Sequence, residues 1–317
     1  MRVVFMGTPD FAVGTLTALA EAGHEIVGVV SQPDKPKGRG KALMPTPVKE
    51  EALRLGLPVY QPRRVREEAF VETLRSLHPD VIVVAAFGQI IPESNLTLAP
   101  LGCVNVHASL LPKYRGAAPI QWAVIDGEKE SGVTIMQMDA GLDTGDMIAR
   151  VTVPIAPEET GGSLFDKLSQ AGARLLVETL PALENHTPVF EKQPQESPTA
   201  YAGMIRKEMG NLDWKLPALR LERLIRGLNP WPSAYTFLGK KSLKLWQAQV
   251  LENVSGQDAP AGTVLQADTG GFLVQTGDGI LKILELQLEG KKRMDAEAFL
   301  RGCQIPAGTV LTQNRQE

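Results

Sequence analysis

Short apolar runs alternate with amphipathic stretches along the first part of the chain. The runs predict β-strands at residues 2–7, 26–30, 59–60 and 81–86. The last run is apolar at every position, which is typical of a strand covered on both faces. The stretches between the runs predict amphipathic helices at residues 10–22, 47–55 and 64–77. Strands that alternate with helices predict a parallel sheet with helices on both sides.

The same alternation continues to about residue 183. Two further strands are predicted at Cys103–His107 and at residues 133–138, with a helical segment at 119–125 between them. A long helix is predicted at residues 163–183. We therefore expect an α/β fold, with a Rossmann-like parallel-sheet domain at residues 1–186.

The pattern changes after residue 186. Residues 187–205 are polar and interrupted by prolines, as linkers are. Residues 206–317 open with an amphipathic helix at 217–228, and short β-like runs with glycine turns follow it. These runs lie at residues 234–237, 243–250, 262–267, 272–276 and 280–286. Gly277-Asp278-Gly279 between the last two is a hairpin signal. A small OB-like β-barrel is the expected second domain.

Length and composition agree with two domains. The chain has 317 residues, 43% of them hydrophobic, and this length suffices for a core without disulfide bridges. Cys103 and Cys303 are the two cysteines, and they form no disulfide framework, which favours a reduced compartment. The sequence contains no signal-peptide core and no stretch of about 20 apolar residues. We expect a cytoplasmic protein that does not enter a membrane.

Charge is distributed unevenly between the two parts. Residues 1–205 carry 18 Lys and Arg against 24 Asp and Glu, whereas residues 206–317 carry 15 against 12. A net charge of −3 argues against a dedicated nucleic-acid binder, but the slightly basic second part is compatible with a polyanionic partner. Ordinary variation of surface charge explains the difference equally well.

The most informative residues are an amide and an imidazole on one strand. Asn105 and His107 share a face of the predicted strand Cys103–His107, near its carboxyl end, where open α/β sheets bind their ligands. An amide can donate to an oxygen that becomes negative, and an imidazole can donate or accept a proton. A downstream loop offers carboxylates at Asp139, Asp143 and Asp146.

Structural roles remain alternatives for these residues. A histidine at a strand end is often structural, and Asp143 in Leu-Asp-Thr-Gly could serve only to form a turn. The acidic loop lacks the spacing of a calcium loop, and the four histidines lack metal-ligand spacing, so no metal is expected. Cys103 lies on the same face but is better explained as a small buried residue than as a nucleophile.

The segment from His107 to Gly116, read His-Ala-Ser-Leu-Leu-Pro-Lys-Tyr-Arg-Gly, closely resembles the signature of the folate-dependent formyltransferases. Ala108 stands where that family usually has glycine, a small departure. Further similarity to family members lies at residues 7–11, 32–41, 87–92, 132–145 and 229–232. The resemblance covers the whole chain and is closest to those members that formylate an aminoacylated tRNA.

The resemblance implies roles for individual residues. Asn105, His107 and Asp143 match the family's catalytic residues, and the implied co-substrate is 10-formyltetrahydrofolate. The folate-binding residues implied by the resemblance are Phe87, Gly88, Gln89, Ile90, Ile91, Ser109, Leu110, Leu111 and Pro112. Gly88 permits a close approach of the backbone to a ligand. Residues 87–92 could alternatively be a simple exit from the preceding strand.

A basic segment points to the acceptor. Lys35, Lys37, Arg39 and Lys41 alternate with other residues in a stretch that has no apolar anchor, so we expect an exposed loop. Such side chains contribute sequence-independent affinity for phosphates. In the tRNA-formylating members of the family a matching loop enters the acceptor stem of initiator tRNA, which implies the same contact here. A solvated linker is the alternative.

The second domain offers weaker candidates for tRNA contacts. They are Lys240, Lys241, Lys244, Lys291, Lys292 and Arg293. The expected reaction is transfer of the formyl group to the α-amino group of initiator methionyl-tRNA by a monomeric enzyme. The competing functions are formylation of a small amine, such as an amino sugar or a purine-precursor ribonucleotide, and noncatalytic binding of tRNA or folate.

Overall fold

The computed structural model describes residues 1–37, 42–251 and 259–315. Its backbone contacts divide the chain into two compact units. Unit 1 consists of Met1–Pro119, Glu130–Pro154 and Phe165–Ala202. Unit 2 consists of Ile120–Lys129, Ile155–Leu164 and Gly203–Glu317. Among the described residues, no helix has the length and apolar character needed to cross a membrane.

The first nine strands belong to unit 1. They are β1 Arg2–Gly7, β2 Glu25–Val30, β3 Lys35–Lys37, β4 Ala42–Met44, β5 Val59–Tyr60, β6 Val81–Ala85, β7 Cys103–His107, β8 Glu130–Gln137 and β9 Met147–Pro154. Seven of them form one sheet in the order β5-β2-β1-β6-β7-β8-β9, and β3 pairs with β4 separately. The pairs from β5 to β7 are parallel, so the predicted Rossmann-like sheet is confirmed.

Six helices occur along the same part of the chain. They are α1 Asp10–Glu21, α2 Pro47–Arg54, α3 Glu68–Ser76, α4 Glu93–Leu96, α5 Pro119–Asp126 and α6 Gly161–Glu184. Phe11 of α1 packs edge-to-face on Phe165 of α6, with 5.5 Å between ring centroids. All five residues of β6 are buried, as its unbroken apolar run predicts, because the sheet is covered on both faces.

The end of the sheet beyond β7 differs from the sequence prediction. β8 is longer than the predicted strand and pairs antiparallel with β7, and β9 pairs antiparallel with β8. β9 itself was not predicted from the sequence. The chain between β8 and β9 is too short for the crossover that parallel strands need, and this favours an antiparallel turn.

Unit 2 is built on an antiparallel sheet. Its strands are β10 Ala234–Leu238, β11 Lys241–Leu251, β12 Val264–Asp268, β13 Gly271–Gln275, β14 Ile280–Leu288 and β15 Met294–Asp295. The helices between residues 203 and 317 are a 3-10 helix Lys207–Gly210, α7 Ala218–Gly227 and α8 Ala296–Gly302. The strand order is β10-β11-β14-β13-β12, with β15 beside β14. The turn predicted at Gly277-Asp278-Gly279 joins β13 to β14 and is confirmed.

The predicted OB-like barrel is not confirmed. Among the described strands β10 and β12 are the two ends of the sheet, and they do not pair with each other. Residues 309–312 contact both ends instead. The amide of Phe237 donates to the Thr312 carbonyl over 2.9 Å, and the amide of Val264 donates to the Thr309 carbonyl over 2.7 Å. The C-terminal segment thus partly covers the gap between the sheet ends.

Candidate active site

Asn105 and His107 lie at the carboxyl edge of the unit 1 sheet. Asn105 of β7 is aligned with Val84 of β6, and Gly7 of β1 is aligned with Ala85 of β6. Since these strands are parallel, their carboxyl ends and the loops that follow meet at one edge. His107 is 6% exposed and Asn105 is half-buried. The strand pattern therefore places both side chains on the face and at the edge expected from the sequence.

Both ring nitrogens of His107 face oxygen acceptors. Nε2 lies 3.1 Å from the main-chain carbonyl of Tyr114. A carbonyl oxygen can only accept, so Nε2 carries a proton and donates it. Nδ1 lies 3.7 Å from Oδ1 of Asp143, which is longer than a hydrogen bond but within ion-pair distance. A second proton on Nδ1 would therefore point at a carboxylate.

Asp143 is held in an uncommon conformation. Its φ is +55°, in the left-handed region that few residues other than glycine, asparagine and aspartate adopt. Its Oδ2 accepts a hydrogen bond of 2.9 Å from the amide of Gly116, in the signature segment. That bond fixes the carboxylate, so Oδ1 remains on the side of His107.

Asp139, a second carboxylate of the loop, is placed differently. Oδ1 of Asp139 accepts hydrogen bonds from the Gly141 amide at 3.0 Å and the Thr144 hydroxyl at 2.8 Å, so this side chain closes the turn. Within the described part of the chain, Asp143 is the one of the three loop aspartates within 4.0 Å of a His107 nitrogen. The spacing of the three aspartates in the sequence gave no geometric reason to choose one of them.

Thr134 organises the signature segment and was missed in the sequence. It is fully buried on β8, aligned with His107 of β7. Its hydroxyl donates to the Ser109 carbonyl over 2.7 Å and accepts from the Leu111 amide over 3.1 Å. The Ser109 hydroxyl in turn donates to the Lys113 carbonyl over 2.6 Å. The available signal was a polar residue between the apolar residues Val133 and Ile135.

The loop after β6 is anchored by its side chains. Phe87 and Ile91 are 2% and 7% exposed and belong to the apolar core of unit 1. Oε1 of Gln89 accepts a hydrogen bond of 3.0 Å from the amide of Val65. Ile90 is 82% exposed. The loop therefore presents main-chain groups and the Ile90 side chain to solvent, while its other apolar side chains fix its position.

A cavity of about 460 Å³ adjoins the signature segment within unit 1. It is lined by Leu110, Leu111, Pro112, Lys113, Tyr114, Glu130, Ser131, Arg150, Thr152 and Pro198. Three of the predicted folate residues therefore line one cavity. Ser109 is buried beside it, and residues 87–91 are not part of its described lining.

The thiol of Cys103, at the other end of β7, does not fit the role of a nucleophile. Cys103 is fully buried, and burial raises the pKa of its thiol, so it stays protonated and packs with its sulfur 3.5 Å from that of Met138. Among the described residues no group of three or more His, Cys, Asp and Glu side chains could hold a metal ion.

The predicted basic segment is described in part. Lys35 is exposed in β3, and Lys37 pairs through its backbone with Ala42 of β4. Arg39 and Lys41 lie outside the described residues. Asp34 at the base of this hairpin is bound by the Gln61 amide and by the Lys49 ammonium, each at 2.7 Å. These hydrogen bonds, that from Gln61 first, lower the pKa of Asp34, so its negative charge is already paired locally.

The fold and this site define a formyl-transferring protein. The family model described as formyl transferase matches residues 1–180, and the model of the formyl transferase C-terminal domain matches residues 204–304. The chain belongs to the formyl transferase family. It is 57% identical, over 98% of its length and 100% of the relative's, to a protein of Agathobacter rectalis named methionyl-tRNA formyltransferase.

Solved structures share the fold at lower identity. WlaRD, a sugar 3N-formyltransferase crystallised with dTDP and 5-N-formyl-THF, is 19% identical with a TM-score of 0.66 and covers 92% of this chain and 99% of its own. HypX from Aquifex aeolicus, in complex with tetrahydrofolic acid, is 19% identical with a TM-score of 0.62. The match to HypX covers 95% of this chain and 47% of that chain.

Proposed function

We propose that this protein transfers the formyl group of 10-formyltetrahydrofolate to the α-amino group of initiator methionyl-tRNA. The product is N-formylmethionyl-tRNA, which serves translation initiation in the cytoplasm. One observation carries the proposal: the chain is 57% identical to a relative named methionyl-tRNA formyltransferase over 98% of its own length and 100% of the relative's. The similarity therefore includes the second half of the chain and not only the catalytic motif.

Asn105 and His107 are proposed to stabilise the oxygen that becomes negative. When the uncharged amine attacks the formyl carbon, a carbon–nitrogen bond forms and the carbonyl oxygen takes up an electron pair. The Asn105 amide can donate to that oxygen. The Nε2–H of a protonated His107 can do so by exchanging its bond to the Tyr114 carbonyl for one to the substrate oxygen, while Nδ1–H faces Asp143. The loss of one such donor typically lowers the rate by about 10²–10³, or roughly 3–4 kcal/mol.

Asp143 is proposed to orient His107 and to assist the proton transfer. Collapse of the tetrahedral species breaks the bond between the formyl carbon and the folate nitrogen, and the proton lost by the amine must reach that nitrogen. A carboxylate near the imidazole favours the charged ring and, through a water molecule, can carry this proton. The distance of 3.7 Å between Asp143 Oδ1 and His107 Nδ1 is compatible with that role.

The folate is proposed to bind along residues 87–91 and 109–112. Gly88 has φ +84°, and the exposed main chain around it can offer hydrogen-bonding groups to a planar heterocycle. The cavity lined by Leu110, Leu111 and Pro112 provides an apolar wall. Folates in solved structures of the same fold support this chemistry. No resident metal is part of the proposal.

The tRNA is proposed to contact the basic segment and the second domain, residues 206–317. The segment contributes Lys35, Lys37, Arg39 and Lys41. In unit 2, Lys244 and Arg293 lie over the ring of Trp246, at 5.4 and 4.6 Å from its centroid. An aromatic ring with cations on it suits contact with a polyanion. Residues 187–205 are proposed to connect the two domains, and the proposed state is a monomer.

The discriminating assay offers labelled 10-formyltetrahydrofolate with three acceptors: methionylated initiator tRNA, an amino-sugar nucleotide and a purine-precursor amine. We expect label only in the methionyl-tRNA, and none when the same tRNA is uncharged. Formylation of a small amine without any formylation of methionyl-tRNA would replace the proposed function by that of a small-molecule formyltransferase. Folate binding without transfer to any acceptor would indicate a binding module.

Neutralising Lys37, Arg39 and Lys41 together with glutamine should raise KM for tRNA and make its salt dependence shallower. If each side chain neutralises one phosphate, the slope of log KM against log salt should fall by roughly 2–3. The measurement is initial rate against tRNA concentration at several salt concentrations.

The control for that variant replaces Lys167 and Arg174, exposed residues of α6, with glutamine. This change removes two positive charges without touching the basic segment and should leave the slope unchanged. KM for the folate should be unaffected in both variants. An unaltered salt slope in the triple variant would remove the segment from the proposed tRNA contact.

A further inference from the structure

Residues 191–202, called the strap here, are bonded to the segments that carry the candidate catalytic residues. The strap begins with two main-chain hydrogen bonds of 2.8 Å between Glu191 and Met147, at the start of β9. It ends with a bond of 2.8 Å from the Ala202 amide to the Arg115 carbonyl. In between, the Ser197 hydroxyl donates to the Pro112 carbonyl over 2.8 Å. The polar, proline-rich sequence of the strap therefore follows the signature segment closely.

Gln193 of the strap holds the main chain at Asp143. Its Nε2 donates to the carbonyl of Asp143 over 2.9 Å and to the carbonyl of Gly145 over 2.7 Å. These bonds use both protons of the amide. Asp143 has φ +55°, a left-handed conformation that is uncommon outside glycine, asparagine and aspartate and is kept in place by neighbouring contacts. Gln193 supplies two contacts that enforce it.

Arg115 fixes the orientation of the Gln193 amide. Its Nε and Nη2 donate to Oε1 of Gln193 over 3.0 and 2.9 Å. A guanidinium can only donate, so Oε1 must face Arg115 and Nε2 must face the Asp143 loop. Arg115 is 8% exposed, and its remaining donors bind the carbonyls of Gln195 at 3.1 Å and Pro194 at 2.7 Å. The orientation of the amide follows from this chemistry.

Asp143 is therefore held from two sides, by the signature segment and by the strap. The Gly116 amide, next to Arg115, binds the carboxylate, while Gln193, oriented by Arg115, binds the carbonyl of the same residue. We propose that Gln193 is a positioning residue that, oriented by Arg115, sets the carboxylate of Asp143 toward His107. This inference rests on the proposed function, because it assigns Gln193 an effect on formyl transfer through Asp143.

Gln193→Ala should lower kcat by about 10- to 100-fold and leave KM for tRNA unchanged, since a displacement of about 1 Å in a reacting geometry can cost 10². Gln193→Glu should give a similar loss, because it keeps an acceptor for Arg115 and removes both donors to the loop. Gln195→Ala is the matched control. Its side chain is exposed, and only its carbonyl binds Arg115, so its kcat should stay at the wild-type value.

The decisive measurement is a double-mutant cycle with Asp143→Asn. If Gln193 acts through Asp143, Gln193→Ala should cost less than about 2-fold in the Asp143→Asn background. The same loss in both backgrounds, or wild-type kcat in Gln193→Ala and Gln193→Glu, would overturn the inference. Thermal unfolding identifies the folded variants, and if the alanine variant does not fold, the glutamate variant provides the cycle.

Loss of the positioning role and loss of the proposed function would give different results in this experiment. An active wild type with an impaired Asp143→Asn variant and unimpaired Gln193 variants would overturn only the positioning role. A wild-type protein that formylates no methionyl-tRNA would overturn the proposed function, and the role of Gln193 in formyl transfer with it.

Discussion

His107→Ala should lower kcat for formyl transfer by about 10³-fold or more, equivalent to roughly 4 kcal/mol or more of transition-state stabilisation. The substitution removes an oxyanion donor and a group that exchanges protons. It also removes the ring whose two nitrogens face Asp143 and the Tyr114 carbonyl. The measurement is the steady-state rate of formylation at saturating folate and saturating methionyl-tRNA.

The folded state of this variant needs its own check, because the Tyr114 carbonyl loses its donor at a cost of about 1–3 kcal/mol. Thermal unfolding should show a reduced but cooperative transition. His24→Ala is the matched control: His24 precedes β2, at the amino edge of the same sheet, and should retain full turnover. A His107→Ala variant with turnover near that of His24→Ala would refute the role given to His107.

Asp143→Asn should lower kcat by about 10²–10⁴-fold with little loss of stability. Asparagine has the same shape and tolerates φ +55°, so the loop conformation can persist. What is lost is the charge opposite His107 Nδ1 at 3.7 Å. A buried carboxylate that orients a catalytic imidazole can be worth about 10⁴ in other enzymes. KM for both substrates should change little, because the carboxylate contacts neither by the proposed mechanism.

Asp139→Asn is the control for that change. It lies in the same loop and removes an equal charge, but its side chain binds Gly141 and Thr144 and not His107. We expect its kcat within a factor of about 3 of wild type, since asparagine keeps one acceptor oxygen for the turn. Equal losses in the two variants would show that loop integrity, rather than the charge beside His107, determines the rate.

The sequence predicted much of the fold because the strands follow simple patterns. The fully apolar β6 and the face shared by Asn105 and His107 on β7 depend on local periodicity, and both are confirmed. The β13–β14 hairpin follows from its glycine turn in the same way. Where pairing depends on distant chain, prediction failed: β9 was not predicted, and the antiparallel direction of β8 was not anticipated.

The candidate site was predictable to a similar extent. Asn105 and His107 are linked by strand spacing, whereas the choice of Asp143 over Asp139 depends on a turn with positive φ and an amide from Gly116, which no local pattern reveals. The sequence did not indicate a role for Gln193, for a further reason. It lies in a polar, proline-punctuated stretch whose composition is typical of a linker, and its function depends entirely on where Arg115 lies.

The strap also bears on how such a chain can be divided or recombined. The first family match ends at residue 180 and the second begins at residue 204. Gln193 therefore lies in the interval between the two matches. A chimera joined anywhere between 181 and 192 would replace Gln193, and with it the contacts to the Asp143 loop, together with the second half. A junction after Ala202 keeps Gln193 and Arg115 on the same side of the join as Asp143.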